Sequence, residues 1–310
     1  TNPNTYKVLG RTFYFAGATT LLALSLGGFF AWLISRTNMP GHRFAYIIIL
    51  SPLAIPTMLL AIAWVLLLSA KIGLINNIIQ SYLGLRGFDI FSMGGMIWVQ
   101  SMTEVPTAFL MVLGALRSMD PSLEEAASVC RSGNFATLRQ ITLPIMTPAF
   151  LAAGMYLFTV NIEAFEIPGI IGLPARIAVF STSIYANVTV VTPPNYGLAY
   201  AYAVTYLLLS VILISIYRKA TRHAERYSTV TGKGYRPRLI DLRNWKYVAL
   251  AGFIVFFIIT IVLPILVLLY ASFLPLYEVP STEAFSKISW HNYVSVLTAP
   301  WLGKILKNTG

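Results

Sequence analysis

Three glutamates stand within or at the end of apolar stretches of this sequence, at Glu104, Glu163 and Glu166. A charged glutamate facing lipid near the middle of a span is disfavoured by about 2.5 kcal/mol or more, so Glu104 should face protein or a wet cavity. Glu163 and Glu166 are three residues apart, which would place them on one face of a helix. Two interpretations stay open for this pair. Their carboxylates would supply hard oxygen ligands to a cation passing along a path, or they would form hydrogen bonds to backbone loosened by Pro168. The structural interpretation is favoured for Glu104, beside Pro106.

The sequence contains no motif for catalysis or for tight cofactor binding. Gly232-Lys233-Gly234 lacks the spacing of the phosphate loop G-x-x-x-x-G-K-[ST], so ATP is not expected to bind at a P-loop of this chain. His42, His223 and His291 are scattered, and no HExxH, CxxC or paired-histidine spacing indicates a metal site. We therefore predict no catalytic residue, no metal site and no cofactor.

Composition places the chain in a membrane. Charged residues are 11% of the sequence and hydrophobic residues 57%, whereas a soluble domain carries about 25% charged residues. Lys and Arg number 22 against 11 Asp and Glu, a net charge of +11. In a soluble protein this excess would suggest nucleic acid. Here the basic residues cluster in loops between apolar runs, so membrane topology explains them better and no nucleic-acid partner is predicted.

Six stretches are apolar enough, and long enough at about 20 residues, to cross a bilayer core. They are residues 13–35, 44–69, 91–113, 145–167, 196–217 and 247–271. The second carries Pro52 and Pro56, which predict kinks whose freed carbonyls find partners within the protein. Between the second and third, apolar residues share a face over 75–82, which predicts a short helix lying at the membrane interface. Six helical crossings predict an all-α bundle.

The basic residues orient these spans across the membrane. Lys and Arg concentrate in residues 36–43, 117–139 and 218–246, and counting spans puts all three segments on the same side. Cytoplasmic loops carry an excess of Lys and Arg, so this side is predicted to be cytoplasmic. The Thr1 end and the segment after Ala271 are then predicted to be extracytoplasmic.

A polar stretch lies between the third and fourth apolar runs, where residues 125–144 read EAASVCRSGNFATLRQITLP. A helix-start signal precedes Glu124 and Glu125, and the dipole of a first helical turn favours such carboxylates. Gly133 interrupts the pattern, after which apolar residues recur at helical spacing as far as Pro144. The stretch therefore predicts a short helix, a turn and a second short helix outside the membrane.

This stretch resembles the EAA loop of ABC-transporter membrane subunits. The family's pattern is EAA, three residues, Gly, nine residues, then I-x-L-P. Glu125-Ala126-Ala127 and Ile141-Thr142-Leu143-Pro144 match it at the family's spacing. The pattern's Gly falls on Arg131, which resists the positive φ that Gly accepts cheaply. Gly133 matches a second small position often seen there.

The resemblance implies an all-α, polytopic transmembrane helical bundle with the type I ABC importer permease fold, in the bacterial plasma (inner) membrane and surrounded by lipid. It implies that the loop is cytoplasmic and docks into a groove on separate ATP-binding cassette ATPase subunits. An extracytoplasmic substrate-binding protein would deliver the substrate, and closure of the ATPase subunits on ATP would drive alternating access. The implied ATPase-coupling residues are Glu125, Ala126, Ala127, Arg131, Gly133, Ile141, Leu143 and Pro144. A polar loop without a partner is the simpler alternative.

The end of the sequence repeats its beginning, since Leu306-Lys307-Asn308-Thr309 resembles Leu9-Gly10-Arg11-Thr12. In ABC permeases such a segment opens the first helix of the core. Together with the basic segment at 218–246, this repeat predicts that the chain has three parts. They are a first permease core over 1–217 with its EAA-like loop at 115–144, a cytoplasmic linker over 218–246, and an extra transmembrane helix with the start of a second copy over 247–310. We expect the chain to be part of a longer, fused permease.

The resemblance also bears on the substrate. Fused ferric iron permeases have this layout, and the linker and Ala164-Phe165-Glu166-Ile167-Pro168 are most similar to theirs. Permeases for thiamine, polyamines and phosphonate are alternatives. An ion-coupled secondary transporter would suit intramembrane carboxylates and kinked helices, but it has no reason to carry the EAA-like loop. A membrane scaffold without transport would leave the three glutamates unexplained.

Overall fold

The computed structural model describes residues 3–85, 87–120, 124, 134–224 and 239–309 of the chain. The regular secondary structure in these ranges is helical, and the pairing of Thr37 with Ile240 is an isolated bridge. This confirms the all-α class. The helices in chain order are α1 (Pro3–Arg36), α2 (His42–Leu50), α3 (Thr57–Leu68), α4 (Leu74–Leu83), α5 (Met93–Ser118), α6 (Asn134–Thr137), α7 (Leu143–Glu163), α8 (Phe180–Thr189), α9 (Tyr196–Ala224), α10 (Trp245–Phe257), α11 (Leu263–Ser272), α12 (Thr282–Ser286), α13 (His291–Leu297) and α14 (Leu302–Thr309).

The helices supply the predicted membrane crossings. Within the described residues, five helical segments are long and apolar enough to cross a membrane, and the bent pair α2–α3 makes a sixth if it is counted as one span. Two of the five include a π-helical turn, over Leu138–Thr142 and over Ile258–Val262. The six predicted crossings therefore correspond to helices of the structure.

The second crossing is broken more sharply than a kink. α2 ends at Leu50, a 3-10 turn follows over Ser51–Ala54, and the two helical halves meet at 95°. Proline lacks an N–H and clashes with the preceding turn, so Pro52 and Pro56 account for the break. The N–H of Ile55 donates to the Pro52 carbonyl at 3.2 Å, which gives that carbonyl a partner inside the protein. The predicted effect of the two prolines is confirmed.

Helices α1 and α5 pack backbone to backbone at Gly27. A Cβ placed on Gly27 would lie 2.7 Å from the Cβ of Ala108 and 2.7 Å from the backbone nitrogen of Phe109. Small residues permit such close approach between membrane helices, whose association depends on van der Waals packing. Phe30 and Phe109 are buried in the core cluster that surrounds this contact.

The predicted sixth span packs against the first part of the chain. The ring of Phe30 on α1 lies 4.5 Å from that of Phe253 and 5.3 Å from that of Phe256, both on α10. Gly41, at the start of α2, faces Leu250, which is also on α10. The helix that follows the basic linker is therefore part of the same packed bundle as α1 and α2.

The first helix starts earlier than the predicted boundary at residue 13. Val8 on this extension is buried against Phe180 of α8 and Tyr202 of α9. The hydroxyl of Thr12 accepts a hydrogen bond from the N–H of Phe180 at 3.0 Å. A tertiary contact thus fixes the extension, which the local apolar pattern alone did not predict.

The short interfacial helix predicted at 75–82 is present as α4. Ile78 and Tyr82 are 51% and 84% exposed, as an apolar face at the membrane interface requires. Asn76, a polar residue of this helix, is buried against protein. Its amide nitrogen donates to three backbone carbonyls at 2.6–3.1 Å, and its oxygen accepts from the N–H of Phe88 at 2.9 Å. Asn76 therefore anchors α4 to the bundle.

Candidate functional site

The predicted coupling loop is described only in part. Three of its coupling residues are described, with Ile141 half-buried and Leu143 and Pro144 exposed. Their part in coupling stays a prediction. The remaining coupling residues lie outside the described residues, and they are Glu125, Ala126, Ala127, Arg131 and Gly133.

The second half of the loop leads directly into the fourth span. The prediction that its short helix ends at Pro144 is wrong, because α6 passes through the π-helical turn at Leu138–Thr142 into α7 without a break. Pro144 directly follows the π-helical turn, and because it lacks an N–H it removes one backbone hydrogen bond there without ending the helix. A displacement of residues 134–142 would therefore move one end of a membrane-spanning helix.

A buried polar network holds the base of the loop. Arg36, at the end of α1, is 3% exposed, and its Nε lies 2.8 Å from Oε2 of Glu124. The N–H on Nε is not aligned along this contact, which is thus an ion pair and not a directed hydrogen bond. Nη2 of Arg36 donates to the carbonyl of Leu116 at 3.0 Å, and the hydroxyl of Thr142 donates to Oε1 of Glu124 at 2.7 Å. Four segments of the chain meet at this network.

The three basic segments also meet through the linker. The N–H of Ile240 donates to the carbonyl of Arg36 at 2.9 Å, and the amide of Asn38 donates to Asp241 at 2.7 Å. The backbone N–H of Arg243 and the Asn38 amide hold the pKa of Asp241 below its ordinary value. With the Arg36–Glu124 pair, these contacts join the segments at 36–43, 117–139 and 218–246 on one face of the bundle. The predicted same-side arrangement of these segments is confirmed.

The candidate pathway glutamates occupy three different settings. Glu104 is half-buried on α5, and its Oε1 accepts from the amide nitrogen of Gln100, one turn earlier on the same helix, at 3.4 Å. Glu163 is the last residue of α7 and is exposed. Glu166 follows a break in the helix and is exposed.

The predicted fourth span to residue 167, with Glu163 and Glu166 on one helix face, is wrong. The chain leaves the helix at Ala164, with φ −54 and ψ 126, so the two glutamates do not share a helix. The carbonyl of Ala164 accepts from the hydroxyl of Ser181 at 2.7 Å. The Ala164 carbonyl, four residues before Pro168, is therefore bonded without either glutamate.

Single polar residues inside the spans form a seam that the sequence analysis missed. Asn161 on α7 is buried and donates to the hydroxyl of Thr20 on α1 at 3.3 Å. Ser101 on α5 donates to the carbonyl of Thr19 at 3.3 Å. Such bonds between membrane helices contribute about 1 kcal/mol each. One polar residue in an apolar run leaves no periodic signal, which is why the pattern did not reveal them.

The family model for the binding-protein-dependent transport system inner membrane component matches residues 13–226, which run from α1 into the segment after α9. The chain belongs to this family. It is therefore a multi-pass permease of the inner membrane, with the loop between α5 and α7 inside the matched region.

Similar permeases differ in what their names say they transport. The chain is 26% identical over 261 residues to the ferric transport system permease protein FbpB of Actinobacillus pleuropneumoniae, covering 81% of this chain and 36% of that one. It is 26% identical over 213 residues to a putative 2-aminoethylphosphonate transport system permease protein of Salmonella typhi, covering 67% of this chain and 70% of that one. The permease thus spans little more than a third of the length of its ferric relative.

The fold of the permease is that of solved ABC transporters. A bacterial alginate ABC transporter, crystallised with an alginate pentasaccharide-bound periplasmic protein, contains a chain that matches with a TM-score of 0.62. The match covers 74% of this chain and 82% of that chain, at 19% sequence identity. At this identity the likeness concerns the fold alone, and it confirms the predicted ABC permease architecture.

Proposed function

We propose that the permease forms part of the substrate pathway of an ABC importer for ferric iron. ATP is hydrolysed on separate ATPase subunits, and an extracytoplasmic binding protein delivers the iron. The loop at 115–144 carries the motion of the ATPases into the spans. The observation that carries the iron assignment is the extent of the match to the ferric relative, which covers 81% of the chain and so reaches beyond the family core at 13–226.

The charge of the predicted pathway favours a cation over a phosphonate. Glu163 and Glu166 are both exposed at the end of the bundle opposite the Arg36 network. Under the positive-inside arrangement this end is extracytoplasmic, where a binding protein would release its cargo. Carboxylate oxygens suit a hard ion such as ferric iron and repel the anionic group of a phosphonate. The phosphonate relative also matches a smaller share of the chain, 67%.

The domain arrangement is part of the proposal. Residues 1–217 form a permease core, 218–246 a cytoplasmic linker, and 247–310 an extra membrane helix with the start of a second copy. The contacts of Phe253 and Phe256 with Phe30 support this arrangement, since they seat the extra helix on the core that precedes the linker.

An uptake assay tests the iron assignment. The assembled transporter is reconstituted in liposomes with its ATPase and binding protein and is offered radiolabelled ferric iron or radiolabelled 2-aminoethylphosphonate. We expect ATP-dependent accumulation of iron and no accumulation of phosphonate above a control without ATP. Uptake of the phosphonate in place of iron would assign the permease to the alternative substrate class.

The two exposed glutamates are tested by charge removal. We expect the double change Glu163→Gln and Glu166→Gln to lower the initial rate of iron uptake by roughly fivefold, the loss given by about 1 kcal/mol of electrostatic attraction. The matched control is Glu283→Gln, which removes one charge from a side chain that is 79% exposed on α12. A fall in melting temperature with normal uptake would instead assign these glutamates a structural role.

A further inference from the structure

Glu124 joins the two ends of the coupling loop. It directly precedes Glu125-Ala126-Ala127 in the sequence, and its Oε1 accepts from the hydroxyl of Thr142, within the second matched motif. Thr142 is 3% exposed, and the Glu124 side chain is 18% exposed. The contact therefore closes the loop at its base, away from solvent.

Arg36 connects this closed base to two membrane helices. It ends α1, its Nε pairs with the second carboxylate oxygen of Glu124 at 2.8 Å, and its Nη2 bonds the Leu116 carbonyl near the end of α5 at 3.0 Å. The last carbonyls of a helix have no partner within that helix, so this bond fixes Arg36 to α5 without displacing another. The Arg36 carbonyl also accepts from Ile240, which ties in the linker.

We infer that Arg36, Glu124 and Thr142 are the positioning residues that hold the coupling loop in the orientation that the ATPase recognises and that pass its displacement to α1, α5 and α7. This inference rests on the proposed coupling role of the loop. Arg36 and Thr142 do not contact the ATPase in this scheme; they act through Glu124. Buried ion pairs of this kind contribute little net stability, because desolvation offsets their attraction, so geometry is the property they supply.

The assignment predicts how the ATPase binds when the network is cut. Purified ATPase is titrated onto the assembled membrane domain in nanodiscs carrying Glu124→Gln, Thr142→Val or Arg36→Met. We expect Kd for the ATPase to rise by about threefold to tenfold in Glu124→Gln and Thr142→Val, which remove a charge or a hydrogen bond to a charge. The double variant Glu124→Gln and Thr142→Val should bind the ATPase no more weakly than the single variant with the higher Kd, because both changes act through one contact.

Thr147→Val is the matched control, because the Thr147 hydroxyl is exposed and bonds only within its own helix, to the Leu143 carbonyl at 2.9 Å. The inference is overturned if Glu124→Gln and Thr142→Val bind the ATPase as Thr147→Val does, even where Arg36→Met lowers the melting temperature. Glu125→Lys distinguishes the role of the network from the coupling role of the loop itself. If only Glu125→Lys weakens ATPase binding, the coupling role of the loop is supported and the positioning role of the network is refuted. Normal binding in all variants refutes both roles.

Discussion

Replacing Glu125 with lysine is expected to reduce ATP hydrolysis stimulated by the loaded binding protein by roughly tenfold or more, since reversing a charge at an interface costs several kcal/mol. Glu125 opens the EAA-like motif, and the described end of the loop runs without a break into α7. A lost contact there would uncouple the ATPase from the fourth span. The measurement is stimulated hydrolysis by the transporter reconstituted with its ATPase and ferric-loaded binding protein.

The loop variant needs a readout that separates coupling from folding. If Glu125 served only as a favourable charge at a helix N-terminus, its loss would cost about 0.5–1 kcal/mol of stability and leave coupled hydrolysis intact. Membrane insertion and melting temperature are therefore measured alongside. Glu283→Lys, an exposed charge reversal on α12, is the control for a general effect of charge. Normal stimulated hydrolysis in Glu125→Lys would count decisively against the coupling role.

The largest effect on stability is expected for Gly27→Val. The new Cβ would lie 2.7 Å from the backbone nitrogen of Phe109 and 2.9 Å from the Val105 carbonyl, and backbone atoms cannot turn aside as a flexible side chain does. Helices α1 and α5 would have to separate along the contact that buries Phe30 and Phe109. We expect a loss of about 3 kcal/mol or more, at the upper end of overpacking effects, and a sharply lower melting temperature or yield.

Gly114→Val is the matched control for this change. Gly114 lies in α5, and a Cβ built there would meet nothing within 4 Å. Both substitutions replace a glycine within a helix by the same β-branched residue, so their intrinsic effects on helix formation are alike. Equal thermal stability of the two variants in detergent would refute the close packing of α1 against α5 as a determinant of stability.

The crossings and their common orientation followed from the sequence alone. An apolar run of about 20 residues forms a helix in a membrane because its backbone groups have no other partners, so each span is specified locally. Pro52 and Pro56 likewise act on their own helix and break it where they stand. The basic segments are local features too, and the contact of Asn38 with Asp241 confirms that two of them lie on one face. The EAA-like motif could be recognised because its residues lie within one short stretch of the sequence.

Contacts between distant residues decided the rest. The α7 helix stops at Glu163 within an apolar run, and Ser181 from further along the chain bonds the carbonyl at the break. Asn76 is buried because backbone carbonyls of neighbouring segments converge on its amide. Arg36, Glu124 and Thr142 carry no shared periodicity, and burial makes them partners because a charge removed from water requires an opposite charge or hydrogen bonds. The sequence therefore determined which segments cross the membrane, and the tertiary structure decided how the end of the EAA-like loop is joined to them.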